Sequence, residues 1–312
     1  MAQSLTGPYN TNACPACGAD ESRRLGDKHA YALWHCARCG VIYVNGQVDG
    51  GALGELYDHY YDRAQFETPA VVVAAYERLL RSCEPFRRTG RWLDVGYGEG
   101  GLLKMAEARG WNCYGSEVSP AALAYGAERG WTVSAEAETD ARFPAQGFDV
   151  VSMVEFIEHV AAPERWLRAA ARWLRPGGLL YLTTPNAASL NRRLLGVEWS
   201  IFCPPEHLTI WTARGLSAAL VKTGFQPQRI RAEGFNPCEI IARWASRRAQ
   251  QDEAVAVDRN QTALALNTAL SGARWRRAVK AGINQCLSAL QIGDGLKVWA
   301  VRCERPMNGT SE

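Results

Sequence analysis

The chain has 312 residues, of which 47% are hydrophobic and 21% are charged, a balance typical of a folded globular protein rather than a disordered one. Its formal net charge of +3 provides no general attraction to nucleic acid or anionic lipid. No run approaches the roughly 18 apolar residues of a membrane span, and the N-terminus lacks a basic region followed by an apolar core, so we expect a cytoplasmic protein.

The N-terminal segment, residues 1–45, carries two Cys-x-x-Cys pairs. Cys14 and Cys17 form the first pair, Cys36 and Cys39 form the second, and a glycine follows each. This spacing is typical of a structural zinc site with four thiolate ligands. Because so short a segment cannot bury a large core, bound metal would stabilise its fold. We therefore predict a zinc ribbon.

Residues 46–88 predict a helical linker or lid. The stretch AVVVAAYERLLRSC has apolar residues at helical spacing and should pack on the main domain. Three tyrosines precede it: Tyr57, Tyr60 and Tyr61. They could pack against the main domain or cover a substrate, and packing is the commoner role.

Strand and helix patterns alternate through residues 89–239. The buried strands read RWLDVG, WNCYGSEVS, FDVVSMVE and LLYLTTPN. Between them, GGLLKMAEARG, PAALAYGAERG and PERWLRAAARWLRPGG predict helices. Such alternation predicts a mostly parallel sheet covered by helices on both faces.

Two shorter segments follow this region. Residues 240–295 predict a helical insertion that is locally basic and mixes Trp with Arg. A cap helix with a solvated basic face is the favoured interpretation, and a helix that binds a membrane surface or a partner is the alternative. Residues 296–306, in LKVWAVRCER, predict a strand that returns to the sheet.

A glycine-rich loop, LDVGYGEGG, joins the first strand of the α/β region to a helix. Gly96, Gly98 and Gly100 allow a ligand to approach the backbone closely, and Asp94 stands at the end of the strand. A pyrophosphate at the helix N-terminus would be repelled by Asp94 and Glu99, whereas a cofactor with a positive centre would not. The loop therefore favours a cationic cofactor over a dinucleotide.

Together, LDVGYGEGG, YGSEVSP, FDVVSMVEFIEHV and LRPGGLLYLTTPN resemble the class I S-adenosylmethionine-dependent methyltransferases. The resemblance implies an α/β, Rossmann-like fold with a seven-stranded, mostly parallel sheet whose last strand is antiparallel. Here that core would carry an N-terminal zinc ribbon and a helical C-terminal insertion. The implied cofactor is S-adenosyl-L-methionine, whose methionine part would lie against Asp94, Gly96, Gly98 and Gly100.

Further acids complete the cofactor site that the resemblance implies. Glu117, in YGSEVSP, matches the acid that binds the ribose hydroxyls in this family. A carboxylate suits this role because it can accept two hydroxyl hydrogen bonds. An acid after the third strand often touches the adenine, and both Glu136 and Glu138 match, with Glu138 taken as the candidate.

The stretch VEFIEHV and His207, in PPEHLTIW, predict the acceptor side of the site. They resemble the small-RNA 2′-O-methyltransferases and the ubiquinone-pathway catechol O-methyltransferases, in which a Glu-x-x-Glu-His stretch and a later His hold a divalent cation. The resemblance implies a cation site made of Glu155, Glu158, His159 and His207. Such a site would take Mg²⁺, or, because it offers two imidazoles, Mn²⁺, Fe²⁺ or Zn²⁺.

Two alternatives require no metal at this site. In the first, His207 acts alone as a general base, His159 lines the acceptor pocket, and Glu158 caps the helix or orients the cofactor. In the second, all of these groups are structural. We take His207, His159 and Glu158 as the candidate catalytic residues.

The layout also resembles bacterial methyltransferases of glycan and natural-product clusters, which implies a small-molecule acceptor. We expect O-methylation of a hydroxyl on a sugar, a nucleoside or a natural product. A ribbon that presents RNA is one alternative, but the ribbon's charges nearly balance, which disfavours nucleic acid as a partner. A non-catalytic adaptor that binds cofactor is another. The oligomeric state stays open, a homodimer included.

Overall fold

The computed structural model describes residues 13–46, 68–248 and 274–304. Its strands form one sheet of four strands and one of seven. Tyr57, Tyr60 and Tyr61 lie outside the described residues, as does the middle of the predicted helical insertion. In the part of the chain that is described, no helix combines the length and the apolar character needed to cross a bilayer.

The smaller sheet joins the N-terminal cysteine segment to a strand from much later in the chain. The segment contributes β1 (Ser22–Lys28), β2 (Tyr31–Cys36) and β3 (Ile42–Val44), each antiparallel to the next. A fourth strand, β9 (Thr209–Ile210), pairs antiparallel with β3. The ribbon therefore completes its sheet with a strand of the large domain.

The larger sheet has the strand order β10-β11-β8-β7-β4-β5-β6. Its strands are β4 (Arg91–Val95), β5 (Asn112–Ser116), β6 (Thr132–Ser134), β7 (Phe148–Val154), β8 (Leu174–Pro185), β10 (Phe225–Glu233) and β11 (Gly295–Arg302). β11 runs antiparallel to both of its neighbours, whereas β4, β5, β6, β7 and β8 are parallel. The predicted seven-stranded α/β sheet with an antiparallel closing strand is confirmed.

Eight described helices connect or flank these strands. They are α1 (Ala70–Cys83), α2 (Gly101–Glu107), α3 (Pro120–Glu128), α4 (Pro163–Trp173), α5 (Leu190–Leu195), α6 (Ala213–Lys222), α7 (Pro237–Arg248) and α8 (Arg274–Ala289). Proline begins α3 and α4, where its missing N–H costs no hydrogen bond. α7 begins before residue 240, so the predicted start of the insertion falls inside a helix.

One boundary differs from the sequence prediction. The pattern PERWLRAAARWLRPGG predicts one helix, but α4 ends at Trp173 and β8 begins at Leu174. Pro176 explains the early end, because proline cannot donate a helical hydrogen bond and disfavours a helical conformation at Arg175 before it. Leu174 instead pairs with Phe148 of β7.

The interior of the ribbon is continuous with the core of the large domain. Three of the four ribbon cysteines are buried in the same apolar cluster as Trp211, Leu182 and Val298. A segment of this size would otherwise bury little surface. Packing on the large domain therefore adds to whatever a metal contributes to the ribbon's fold.

A buried carboxylate ties the start of β4 to β7 and β8. Asp149 Oδ2 accepts hydrogen bonds from the backbone N–H groups of Arg88, Thr89 and Gly90 at 2.7, 2.7 and 2.8 Å. Its Oδ1 accepts one from Arg175 Nε at 2.7 Å. Burial opposes ionisation, but the bonds from Arg175 and the backbone amides outweigh it and lower the pKa of Asp149.

We expect Asp149→Asn to lower the free energy of unfolding by about 3 kcal/mol at pH 7, because it removes the buried charge that pairs with the half-buried Arg175 and accepts hydrogen bonds from three backbone N–H groups. Since folding lowers the pKa of Asp149, its ionised form stabilises the protein above the unfolded-state pKa. This stabilisation is lost as the pH falls through the folded-state pKa. Urea unfolding at several pH values should therefore show a flatter acid limb for the variant.

Asp140→Asn is the matched control for this prediction, because it breaks an ion pair with the exposed Arg142. Its effect on the free energy of unfolding should be small. Equal losses of stability in the two variants would contradict the role given to Asp149.

Candidate functional site

The glycine-rich loop lies at the carboxyl end of β4, in the middle of the large sheet. Gly96, Gly98 and Gly100 have positive φ angles of 70°, 52° and 70°. A Cβ atom at Gly96 would lie 2.6 Å from the Phe156 ring, and one at Gly100 would lie 2.8 Å from the Trp131 ring. Backbone conformation and close packing therefore both require glycine here.

Asp94 lies buried beneath this loop. Its Oδ1 accepts a hydrogen bond of 2.5 Å from the Ser152 hydroxyl, which in turn accepts one of 2.8 Å from the indole N–H of Trp92. Burial, opposed by the bond from Ser152, raises the pKa of Asp94 to about 7. A positive charge nearby would favour the ionised carboxylate, so this position suits a cationic cofactor.

Glu117, which follows β5, faces the same loop. Its Oε2 accepts a hydrogen bond from the Gly98 N–H at 3.0 Å, and its Oε1 accepts one from the Val118 N–H at 2.7 Å. Burial raises the pKa of Glu117 despite these bonds. The structure thus brings the glycine loop and the predicted ribose-binding acid into one site.

The two candidates for adenine contact lie after β6. Glu138 Oε2 is 2.5 Å from a guanidinium nitrogen of Arg165, whereas Glu136 is exposed. Glu138 therefore already has a cationic partner on α4. Its contact with an adenine ring stays a prediction.

The stretch VEFIEHV begins where β7 ends. Glu155 has a left-handed backbone conformation, with a φ of 49°, and its Oε1 accepts a hydrogen bond of 2.7 Å from the Thr183 hydroxyl. Non-glycine residues in this conformation are uncommon and concentrate at functional sites. The Glu155 side chain is exposed beside the fully buried Glu158.

The carboxyl group of Glu158 is fully buried but is not regularly hydrogen-bonded in the described part of the chain. Neither oxygen makes a hydrogen bond of regular geometry with any residue of the described ranges, although the Thr184 hydroxyl and the Glu155 carboxyl lie in its vicinity. Burial, followed by the negative charge of Glu155, raises the pKa of Glu158 well above its usual value. A buried polar group in this state calls for a ligand or water as its partner.

Two histidines complete the group around Glu158. His159 Nδ1 lies 3.0 Å from the carbonyl oxygen of Glu206, and His207 Nδ1 lies 2.8 Å from that of Ile201. Because a carbonyl only accepts, Nδ1 carries the proton in each neutral ring and Nε2 carries a lone pair. Burial, together with His207, lowers the pKa of His159 to about 3, so this ring is neutral at pH 7.

Glu158, His159 and His207 bring one oxygen and two nitrogen ligand atoms within 4.8 Å of one another. His159 Nε2 lies 3.9 Å from Glu158 Oε1. Ligands bound about 2.1 Å from one cation lie roughly 3 to 4 Å apart, and the separation between Glu158 and His159 falls in this range. Histidine ligands whose other nitrogen donates to a carbonyl are typical of metal sites. Glu155 lies outside this three-residue group.

The four ribbon cysteines also converge. The Sγ atoms of Cys14 and Cys39 are 3.5 Å apart, and those of Cys17 and Cys36 are 3.7 Å apart. Four thiolates at about 2.3 Å from a tetrahedral zinc ion lie about 3.8 Å from one another. The glycine after each pair donates its N–H to the carbonyl of the pair's first cysteine, at 2.8 and 2.9 Å. The cluster can therefore hold one zinc ion.

Three polar residues of the site are absent from the sequence prediction: Ser152, Thr183 and Thr184. Each lies near the carboxyl end of β7 or β8, where ligands of parallel sheets bind, and this placement is the signal that could have identified them. The carbonyl groups of Ile201 and Glu206 have no such signal, because every residue has a carbonyl.

The sequence of this chain is similar to those of known methyltransferases. A family model described as "Methyltransferase domain" matches residues 60–230. The ubiquinone biosynthesis O-methyltransferase of Cereibacter sphaeroides is 32% identical over 179 residues, which cover 53% of this chain and 72% of the relative. That of Roseobacter denitrificans is also 32% identical over 179 residues, covering 53% and 71%. A solved SAM-dependent methyltransferase from Archaeoglobus fulgidus aligns over 80% of this chain and 99% of its own, with 19% identity and a TM-score of 0.48.

We expect Gly96→Ala to weaken the binding of S-adenosylhomocysteine at least roughly tenfold, or by about 1.4 kcal/mol, because the added methyl group would meet the Phe156 ring. Calorimetric titration measures this affinity. Gly130→Ala is the matched control, because Gly130 has a similar φ of 78° but a Cβ atom there meets nothing within 4 Å. Equal losses of affinity in both variants would contradict the role given to the loop's packing.

In protein without added cation, we expect Glu158→Gln to raise the free energy of unfolding at pH 7 by roughly 1–3 kcal/mol. Folding raises the pKa of Glu158 above its usual value of 4.5. As the pH rises past that value, the unfolded chain loses this proton more readily than the folded protein does, which favours unfolding. Below pH 4.5, where Glu158 is protonated in both the folded and the unfolded chain, this pH-dependent difference between wild type and Glu158→Gln should vanish.

Urea unfolding between pH 4 and pH 8 checks this expectation, with Glu128→Gln, at an exposed position of α3, as control. The expectation fails if the free energy of unfolding of wild type does not fall relative to that of Glu158→Gln as the pH rises. Such a result would mean that folding does not raise the pKa of Glu158.

Proposed function

Because this chain belongs to the class I S-adenosylmethionine-dependent methyltransferases, we propose that it methylates a hydroxyl oxygen of a small molecule. The observation that carries this proposal is the position of the Glu158, His159 and His207 group. It lies just beyond the carboxyl end of β7, which pairs in parallel with β4, the strand that leads into the cofactor loop. Ligands of such sheets bind at this edge.

Oxygen is the favoured nucleophile. The relatives named ubiquinone biosynthesis O-methyltransferases share the matched domain at 32% identity, which supports O-methylation here. A hydroxyl loses its proton with difficulty at neutral pH, so the site needs a group that removes or weakens this proton. A sugar, a nucleoside or a natural product with such a hydroxyl fits the proposed site.

The chain's own residues divide the work of the reaction. Asp94 and Glu117 would hold the cofactor, which would supply a methyl group on a cationic sulfur. His207 accepts the acceptor's proton at Nε2, because its Nδ1 proton is already donated to a carbonyl. Methyl transfer then depends mainly on the alignment of the acceptor oxygen with the methyl carbon.

As the alternative to a free base, we propose that Glu158, His159 and His207 hold a divalent cation, in which case the Nε2 lone pair of His207 binds the ion and not a proton. Glu155, the fourth ligand expected from the sequence, lies outside this converging group and would have to turn toward the ion. One carboxylate and two imidazoles favour Mn²⁺, Fe²⁺ or Zn²⁺ over Mg²⁺. Bound there, the cation would supply a positive charge that acidifies an acceptor hydroxyl. The buried Glu158 carboxyl without a regular hydrogen bond in the described structure supports this site.

The four ribbon cysteines are proposed to bind Zn²⁺ in a structural role. Their Sγ separations support a tetrahedral ion. Four thiolates fill all positions of such an ion, which leaves none for a substrate. The zinc ion would therefore stabilise the ribbon and take no part in methyl transfer.

We expect His207→Ala to reduce methyl transfer at least roughly 100-fold, while the affinity for S-adenosylhomocysteine stays within about twofold. Formation of S-adenosylhomocysteine with a panel of catechols, sugars and nucleosides measures turnover, and calorimetry measures the affinity. His29→Ala, in an exposed turn of the ribbon, is the control. A loss of cofactor binding in His207→Ala would contradict the acceptor-side assignment.

A titration with Mn²⁺ separates the two ways in which His207 can act. Cation activation predicts that Mn²⁺ binds wild type, that Glu158→Gln abolishes this binding, and that turnover depends on it. Turnover that is independent of Mn²⁺ but still lost in His207→Ala would establish His207 as a base that needs no cation.

A further inference from the structure

The segment that carries His207 is hydrogen-bonded to the described part of the ribbon, residues 13–46, which forms a cysteine module. β9 pairs with β3 of this module, and the Val44 N–H donates to the carbonyl of Leu208 at 2.9 Å. The Thr212 hydroxyl donates to the carbonyl of Cys39 at 2.6 Å. Bonds from the module therefore reach both ends of the short strand that follows His207.

The same segment is bonded to the loop that carries the other two members of the acceptor-side group. The N–H groups of Leu208 and Thr209 both donate to the carbonyl of Glu158, at 2.8 and 3.1 Å. His159 Nδ1 donates to the carbonyl of Glu206 at 3.0 Å. Residues 206–212 thus connect the module to Glu158 and His159.

Packing makes this connection rigid. Leu208 and Trp211 are buried in the cluster that also contains three of the four ribbon cysteines. Gly215, in α6, has no room for a side chain because Val41 of the module packs against it. Since close-packed interiors transmit displacements, a shift of the module would move the segment that bears His207.

We propose that the cysteine module is a positioning element for the acceptor site, and that it fixes His207 relative to Glu158 and His159. This inference rests on the acceptor-side role proposed for His207. Functional groups must be held within about 0.5 Å of their productive geometry, and the support comes from residues outside the site. Loss of such support around a metal site typically weakens binding or activity 10–100-fold.

Thr212 is the side chain that tests this proposal most directly. It is buried, donates to Cys39 and accepts the Gly215 N–H as the N-cap of α6. Thr212→Val removes both bonds with little change in volume, and Thr212→Ser retains them. Thr223→Val is the matched control, because Thr223 is equally buried at the other end of α6 and donates within its own helix.

Three measurements on the zinc-loaded full chain decide the question. They are the affinity for Mn²⁺, the ¹⁵N chemical shifts of the His207 ring, and the hydrogen exchange of residues 206–212. In Thr212→Val we expect Mn²⁺ affinity to fall roughly tenfold, the ring shifts to change and the exchange to accelerate. Thr212→Ser and Thr223→Val should stay within about twofold of wild type, as should the cofactor affinity of all variants.

Equal effects of Thr212→Val and Thr223→Val on Mn²⁺ affinity and on exchange of residues 206–212 would overturn the proposal. Should Thr212→Val lose cofactor binding, Val41→Ala repeats the test without removing a helix cap. If wild type binds no Mn²⁺, the cation part of the proposed function fails. The ring shifts and the exchange still decide the positioning role: a change in Thr212→Val alone supports it, and no change overturns it.

Discussion

The carbonyl of Glu158 accepts hydrogen bonds from Leu208 and Thr209, and the acceptor side of the site depends on this junction. The junction joins the loop after β7 to a segment about fifty residues later in the chain. Because His207 precedes these two donors directly, the junction brings its ring to His159, with ring centroids 4.7 Å apart. Without it, His207 would lie in a segment unconnected to the loop that carries Glu158 and His159.

Buried acids give the site its electrostatic character. Asp94, Glu117 and Glu158 are all buried, and burial raises the pKa of each. Removing three carboxyl groups from water costs free energy that packing alone does not return. A sulfonium cofactor and a divalent cation would each bring a positive charge to these groups. Perturbed acids gathered at one sheet edge are typical of functional sites.

The two halves of the site are linked through the polar ends of neighbouring strands. Ser152 of β7 donates to Asp94 of β4, and Thr183 of β8 donates to Glu155 after β7. The parallel pairing of β4, β7 and β8 brings their carboxyl ends together and so makes these bonds geometrically available. A displacement of one strand end would therefore affect both the cofactor side and the acceptor side.

The sequence by itself determined the elements whose signals are local. Strand and helix alternation identified the α/β sheet, and the spacing of Cys14, Cys17, Cys36 and Cys39 identified the cysteine cluster. LDVGYGEGG with Glu117 predicted a cofactor site, and the structure brings these residues together. Only the tertiary structure decided that β9 completes the ribbon's sheet, that Asp149 holds the start of β4, and that Glu155 lies outside the group of Glu158, His159 and His207. Local patterns reflect backbone periodicity and side-chain chemistry, which can be read from adjacent residues. The decisive long-range contacts use backbone N–H and carbonyl groups, which every residue except proline offers alike, so only the path of the folded chain selects them.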